Sequence, residues 1–426
     1  MSPLVITLII LLVVFVALLS GKFANGVVGG TVIVALMVFG ILTPAEALSG
    51  FSNTNVVIMF CMMVLSAGLM KTNIIHNIVK LVNKVGRSET ALVAGFGLIA
   101  AIMAQFMNAF VAVGCLLPFI VGMCRELKIP RSKVVFPVMI IALTFIFWLP
   151  IGQGVSYNVA QPNGYLESFG SEIRFGMFDM TLARLAGCIV QPLFCIFVLP
   201  KLCPDKGDEA LKEGLTREIS VSTLSKARET LAYVISAGTV ILMILAGTLK
   251  LNICMIACAG ALLMVLCGVM DNKEAIGAVN WGMIFLFAGI LPLSTALTKT
   301  GASDVIADFI IKLIGGSTNP WIISIVFVTI AFVSTQFLSN TACVQVFMPL
   351  VLMVSIKLGM NPIGIMGLVN IGCTASYLTP MANPGIPLCM AAGGYDLKDC
   401  IRIGLLPGLL ICTVGVVWCS LFFPAF

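Results

Sequence analysis

The chain has 426 residues, 60% of them hydrophobic and only 10% charged, with a mean hydropathy of +1.13, which excludes a soluble globular domain. Its net charge of +6 lies in the segments between apolar runs, where it suits an anionic membrane surface and gives no sign of a nucleic-acid partner. Fifteen scattered cysteines without a C-x-x-C pair exclude an extracellular disulfide framework and read as reduced packing residues.

Taken in chain order, the first apolar run, 4–20, has the length of a secretory signal. No basic n-region precedes it and Lys22 lies behind it, so it is expected to remain as a span. Runs at 27–43 and 54–70 follow, with "FSNTN" at 51–55 expected to cap the third span. "NIIHNIVKLVNKVG" is an amphipathic piece expected to lie along the interface, carrying the chain's one histidine, His76, as a solvated residue. A broken apolar pair, 89–106 with 108–123, precedes spans at 132–149 and 178–199. The one long hydrophilic stretch, 200–228, then divides the chain nearly in half. Behind it come spans at 229–247, 252–270 and 281–298, a second amphipathic piece "ASDVIADFIIKLIGG", a second broken pair (320–337 with 340–356), and spans at 361–378 and 401–423.

The order of elements is the same on both sides of 200–228. "MKT" (Lys71, Thr72) and "TKT" (Lys299, Thr300) close the third span of each half, and Pro118 and Pro349 stand 231 positions apart. Such duplication marks a transporter built from two repeats. Counting each broken pair as a re-entrant helical hairpin leaves five crossings per half, an odd number, so the second half is expected to enter from the opposite face. The expected fold is an all-α polytopic membrane protein of two inverted repeats: 1–199 with a hairpin at about 89–123, a cytoplasmic linker 200–228, and 229–426 with a hairpin at about 320–356. With the N-terminus outside, 18 of the 24 Lys and Arg fall on the inner side, including those of the linker.

Lipid offers no hydrogen bonds, so helix breaks at membrane depth persist only where they are buried or line a wet cavity. Four breaks stand out: the hairpin tips "FMNAFVAVGCLLP" (106–118) and "FLSNTACVQVFMP" (337–349), and the loops "WLPIGQGVSYN" (148–158) and "YLTPMANPGIP" (377–387). Each tip offers the N-terminus of its second arm, whose free N–H groups and dipole suit a carboxylate or another oxyanion. Carbonyls freed by the unwound backbone suit a monovalent cation such as sodium, and an anion and a cation sharing one site are a physical basis for coupling.

"FLSNTACVQVFMP", "FLFAGILPLSTALTKTG", "SYLTPMANPG" and "AAGGYDLKDCIRIGLLPG" resemble the divalent anion/sodium symporter family, the dicarboxylate and citrate transporters of the ion transporter superfamily. The resemblance spans nearly the whole chain. It implies a homodimer in a bacterial inner membrane, with scaffold and mobile transport domains working as an elevator. It also implies a small anionic substrate, sodium as coupling ion, and no further cofactor. Carried onto this chain, it implies substrate contacts from Asn108, Ser339, Asn340, Thr341, Thr379 and Pro384. Cation contacts follow from Gly152, Gln153, Asn158, Thr335, Asn340, Ala382 and Asn383. Ser339–Asn340–Thr341 matches the family's paired motif in full. Asn108–Ala109–Phe110 keeps one polar residue of three, so the site is expected to be lopsided, with Gln153, Ser156 or Asn158 compensating.

Arg184, about a turn inside the span 178–199, is expected to snorkel to the headgroups, the competing role being to guide an anion inward. No Asp or Glu occurs from 90 to 125 or from 319 to 395, which disfavours a proton relay and leaves sodium symport or anion exchange. The substrate is expected to be a small organic anion, a di- or tricarboxylate; the alternatives are an inorganic oxyanion or arsenite on the same fold, or a passive anion channel. One histidine and no H-E-x-x-H argue against a membrane-embedded enzyme.

Overall fold

The structure is a computed structural model that describes residues 2–20, 22–206, 224–313, 315–381 and 383–424. All regular elements among the described residues are helical, as the sequence leads one to expect. The central part of the 200–228 linker lies outside the described residues. Its ends are helical at Leu199–Leu202 and from Lys226 onward.

Several helices are shorter than their apolar runs. The run 27–43 is helical over Asn25–Val38, 132–149 over Ser132–Thr144, and 361–378 over Pro362–Thr374. Among the described residues, six helices are long and apolar enough to cross a membrane alone, and seven if Thr54–Met70 and Ile74–Val82, bent by 59°, count as one. Two of the six are the second hairpin arms, Ala109–Leu127 and Asn340–Leu358. Length therefore does not separate those arms from full spans; each starts at a polar tip that lines a cavity.

Helices such as Pro3–Ser20 are apolar on every side. Ile10 and Val14 are buried while Leu12 and Val16 remain exposed, as expected for a helix with protein on one face and lipid on the other. Arg184 does not fit the snorkelling expectation. It is only 6% exposed, held inside the bundle. Asn53 caps the Thr54–Met70 helix as expected, accepting from the Asn55 N–H at 2.9 Å.

The buried side chains form two cores. The first gathers helices Pro3–Ser20, Asn25–Val38, Thr54–Met70, Ile253–Leu266 and Trp281–Lys299 around Leu36, Met59, Met264 and Phe287. The second gathers both arms of the first hairpin, Ser132–Thr144 and Gly385–Gly393 around Phe96, Leu116, Phe136 and Ile386. The second hairpin bridges them: Val351 and Leu352 belong to the first core, Val328 and Phe332 to the second.

The first core interleaves the two halves of the chain. Asn25–Val38 packs on Trp281–Lys299, and Ile253–Leu266, which begins 228 positions after Asn25, packs on Thr54–Met70. Glycine makes the first crossing possible, since a Cβ on Gly29 would lie 2.1 Å from the Phe285 carbonyl oxygen. Two ion pairs repeat the exchange. Lys71 Nζ meets Glu274 Oε1 at 2.6 Å, and Lys299 Nζ meets Glu46 Oε1 at 3.0 Å, each residue 228 positions from its counterpart.

Both glutamates also close a capping box, with Thr43 and Asp271. The Thr43 N–H and then Lys299 hold the Glu46 carboxyl down to about 2, while Lys71 and then the Asp271 N–H lower that of Glu274. A depressed folded value means that these contacts contribute fully above the ordinary carboxylate range and are lost as pH falls through the folded value. The thermal midpoint in detergent is therefore expected to drop as pH goes from about 4.5 toward about 2, with a shallower drop for Lys299→Ala. Because both pairs are exposed, a drop of the same size in Lys299→Ala would show that the cap alone holds the carboxylate.

Candidate functional site

The first break begins where Ser132–Thr144 ends. Phe147 takes a left-handed conformation (φ 46°), and Gly152 (φ 54°) turns the chain into the short helix Gln153–Val155. A π-turn, Ser156–Ala160, then leads into Gln161–Ser168. The carbonyls freed by this unwinding are met from inside the protein. Asn158 Nδ2 donates to the carbonyls of Phe147 (2.8 Å) and Trp148 (3.0 Å). Gln105, at the end of the first hairpin arm, donates to the carbonyls of Ala101 (2.9 Å) and Phe145 (2.7 Å) and accepts the Leu149 N–H (2.9 Å).

The second break is stitched in the same way by Gln336, 231 positions later. It donates to the carbonyls of Phe332 (2.8 Å) and Ala375 (2.9 Å) and accepts the Leu378 N–H (3.0 Å). In each half one amide side chain ties a tip to a broken helix and satisfies backbone groups that the break sets free.

The two tips share one backbone shape. Asn108 and Ser339, each preceding its second arm, both have φ −62° and ψ 143°. Their chemistry differs. Ser339 Oγ accepts the Ala342 N–H at 3.3 Å, whereas Asn108 makes no capping hydrogen bond. Behind the second tip, the Thr335 hydroxyl lies 3.0 Å from Asn340 Oδ1 and 2.5 Å from the Cys373 carbonyl. One proton serves two acceptors there, leaving an oxygen-rich spot suited to a hard cation. At the first tip the corresponding positions are Ala104 and Ala109, which carry no oxygen in their side chains.

A cavity of about 300 Å³ opens between the tips. It brings together Asn108, Ser339, Asn340, Thr341, Asn158, Asn383 and Pro384 among the residues expected from sequence. Asn383 is held by its own contacts, donating to Ser376 Oγ at 3.4 Å and accepting the Gly385 N–H at 2.8 Å. Four expected residues do not line the cavity. Thr335 is buried behind Asn340, and the Thr379 hydroxyl donates to the Gln336 carbonyl. Gly152 packs toward Ser66 in the bend and Gln153 begins the short helix after it. Ala382 lies outside the described residues. Ser156 is also directed elsewhere, donating to the Met59 carbonyl at 3.2 Å.

Several polar cavity residues are not among those expected from sequence: Tyr157, Gln161, Arg184, and Asn370 and Thr374 of helix Pro362–Thr374. Gln161 is 2% exposed, and its Nε2, near the Tyr165 hydroxyl, completes no hydrogen bond of normal geometry. Arg184 was noticed but placed at the headgroups. It lines the cavity instead, donating to the carbonyls of Thr144 (2.7 Å) and Ile146 (3.1 Å). No Asp or Glu lines the cavity among the described residues. The site thus offers amide and hydroxyl groups, two helix N-termini and one fixed positive charge, an environment suited to a small anion.

A model of the citrate transporter family CitMHS matches residues 15–351. The chain belongs to this citrate transporter family. An uncharacterized transporter of Synechocystis is 31% identical over 181 residues, 42% of this chain and 29% of that protein. The human Na(+)/dicarboxylate cotransporter 3 is 30% identical over 156 residues, 35% of this chain and 24% of that protein. The matched stretches span less than a third of either relative. Among solved structures, the YdaH transporter of Alcanivorax borkumensis superposes with a TM-score of 0.66 at 12% identity, covering 99% of this chain and 98% of that one. MtrF of Neisseria gonorrhoeae superposes at 0.59 and 12%, covering 100% and 96%. These likenesses are of fold. The family and these neighbours are described as transporters.

Proposed function

We propose that the protein is a secondary active transporter of small organic anions, di- or tricarboxylates, carried by sodium symport or anion exchange. The observation that carries this reading is the cavity between the two hairpin tips, lined by donors and by Arg184 and free of acidic side chains among the described residues. Its volume is at the small end of ligand pockets, which run from roughly 300 to 1,000 Å³. The citrate of the family description and the dicarboxylate in the human relative's name support the substrate class.

Sodium is assigned to the oxygens around Thr335, Asn340 and the Cys373 carbonyl. The exchanged packing and ion pairs at a spacing of 228 support two repeats of opposite orientation, with 200–228 on the cytoplasmic face of a bacterial inner membrane. The two cores supply a division for an elevator movement, and a homodimer belongs to the same reading.

Uptake into proteoliposomes tests it, with labelled mono-, di- and tricarboxylates, phosphate and arsenite under sodium, potassium or proton gradients. Saturable carboxylate uptake is expected; uptake confined to phosphate or arsenite would give the site to a different anion, and non-saturating flux would make it a channel. The lopsided tips give a further expectation. Installing the missing oxygens with Ala104→Thr, Ala109→Asn and Phe110→Thr steepens the sodium dependence of uptake or admits larger diacids. If sodium dependence and diacid selectivity both stay as in the wild type, the first tip is not part of the cation or substrate site.

A further inference from the structure

Arg184 is a buried cation whose neighbours do not neutralise it. No ion pair involving it occurs among the described residues, and its two hydrogen-bond acceptors are neutral carbonyls. Those two bonds use part of a fork of five N–H donors that stays protonated at any physiological pH. A guanidinium in such a place is costly unless something else completes its charge.

The asymmetry between the two halves suggests what does. In the second half, the end of Pro362–Thr374 presents the Cys373 carbonyl to Thr335 and Asn340, the cluster suited to a cation. In the first half, Ser132–Thr144 ends in the same way, but alanines stand at 104 and 109, and the freed carbonyls of Thr144 and Ile146 receive the Arg184 guanidinium. The last helix, Leu397–Phe422, carries Lys398 and Arg402 near its start, both exposed and neither lining the cavity, and has no Lys or Arg beyond them. The half that lacks the oxygen cluster brings an arginine to the cavity, and the half that has the cluster brings no Lys or Arg to it among the described residues.

Resting on the reading of the cavity as an anion site, we propose that the Arg184 guanidinium is a resident cation of the transport site. It stands where a coupling cation would otherwise sit, pairs with a carboxylate of the substrate, and ties the carrier to anion exchange. A bound sodium ion leaves with its substrate; Arg184 cannot. The loaded site is compensated, but the empty one must pass through its occluded state with an unpaired charge in a low-dielectric interior. Return without an anion is therefore slow, and return with one is fast. The alternative role, a cap on the Ser132–Thr144 helix, predicts no such link between charge and exchange.

The test begins with the wild-type protein. Proteoliposomes loaded with labelled succinate or citrate are diluted into buffer with or without the same unlabelled anion, at equal sodium on both sides. External anion is expected to accelerate efflux about tenfold or more, and equal rates in the two buffers would overturn the proposal without variants. Arg184→Gln is expected to weaken apparent substrate affinity at least tenfold and to abolish the acceleration, while Arg184→Lys restores much of it. A Gln variant that keeps both wild-type affinity and acceleration would reduce Arg184 to a helix cap. Should the variants fail to fold, the wild-type efflux comparison still decides. The outcomes separate from those of the underlying reading: anion transport that stops in Asn340→Ala yet shows no acceleration defeats only this proposal, whereas no transport of any anion defeats both.

Discussion

Asn340→Ala is expected to lower substrate uptake by roughly 10- to 100-fold while leaving the protein folded. Asn340 is the first residue of the second arm, lines the cavity, and carries the Oδ1 that shares the Thr335 hydroxyl. Truncation removes one cavity donor and one oxygen of the proposed cation site together. It leaves little unpaired behind, because the Thr335 hydroxyl keeps the Cys373 carbonyl as acceptor, so stability is expected to change by less than about 1 kcal/mol. Uptake and thermal denaturation of the same preparation separate the two effects. Near-normal uptake would move the site away from this tip, and a collapse of stability would mean that the residue is structural.

Gly29→Leu is expected to have the opposite profile. A Cβ at Gly29 meets the Phe285 carbonyl oxygen at 2.1 Å and the Leu286 Cα at 2.6 Å, and from the other side a Cβ at Gly289 meets the Gly29 oxygen at 2.4 Å. These neighbours are backbone and cannot turn aside, so helices Asn25–Val38 and Trp281–Lys299 must separate. Overpacking of this kind costs on the order of 3 kcal/mol or more, and the protein is expected to aggregate on size exclusion or melt early. Gly30→Leu, one residue along the same helix, meets nothing within 4 Å and serves as the control, with unchanged elution. Equal behaviour of the two variants would show that the crossing is looser than the backbone contact indicates.

What the sequence revealed and what it concealed follow from the range of the interactions. Broken apolar runs are local signals, so the four breaks could be placed from "FMNAF", "FLSNT", "GQGVSYN" and "MANPG", and the cavity joins all four. Family membership was legible for the same reason, in short motifs. The role of each polar residue was less legible, because it depends on which carbonyl the fold brings near. Asn158 and Gln105 bond the first break, Thr379 bonds the second tip, and Gly152 lies in the bend. Arg184 was misplaced because its position near a helix end permits either snorkelling or burial, and only the packing of the Ser132–Thr144 helix decides. The 228-residue spacing of Lys71 and Lys299 was visible in sequence, but their exchanged glutamate partners were not, since each partner lies in the other half of the chain.

A cryo-electron microscopy map of the protein in lipid nanodiscs, with a saturating di- or tricarboxylate that competes in the uptake assay, tests the central claim most directly. The account predicts ligand density enclosed between Ser339–Thr341, Asn108 and the Arg184 guanidinium, with both hairpins turning back at their tips. Ligand density elsewhere, or hairpin segments running as unbroken helices through the bilayer, would contradict it.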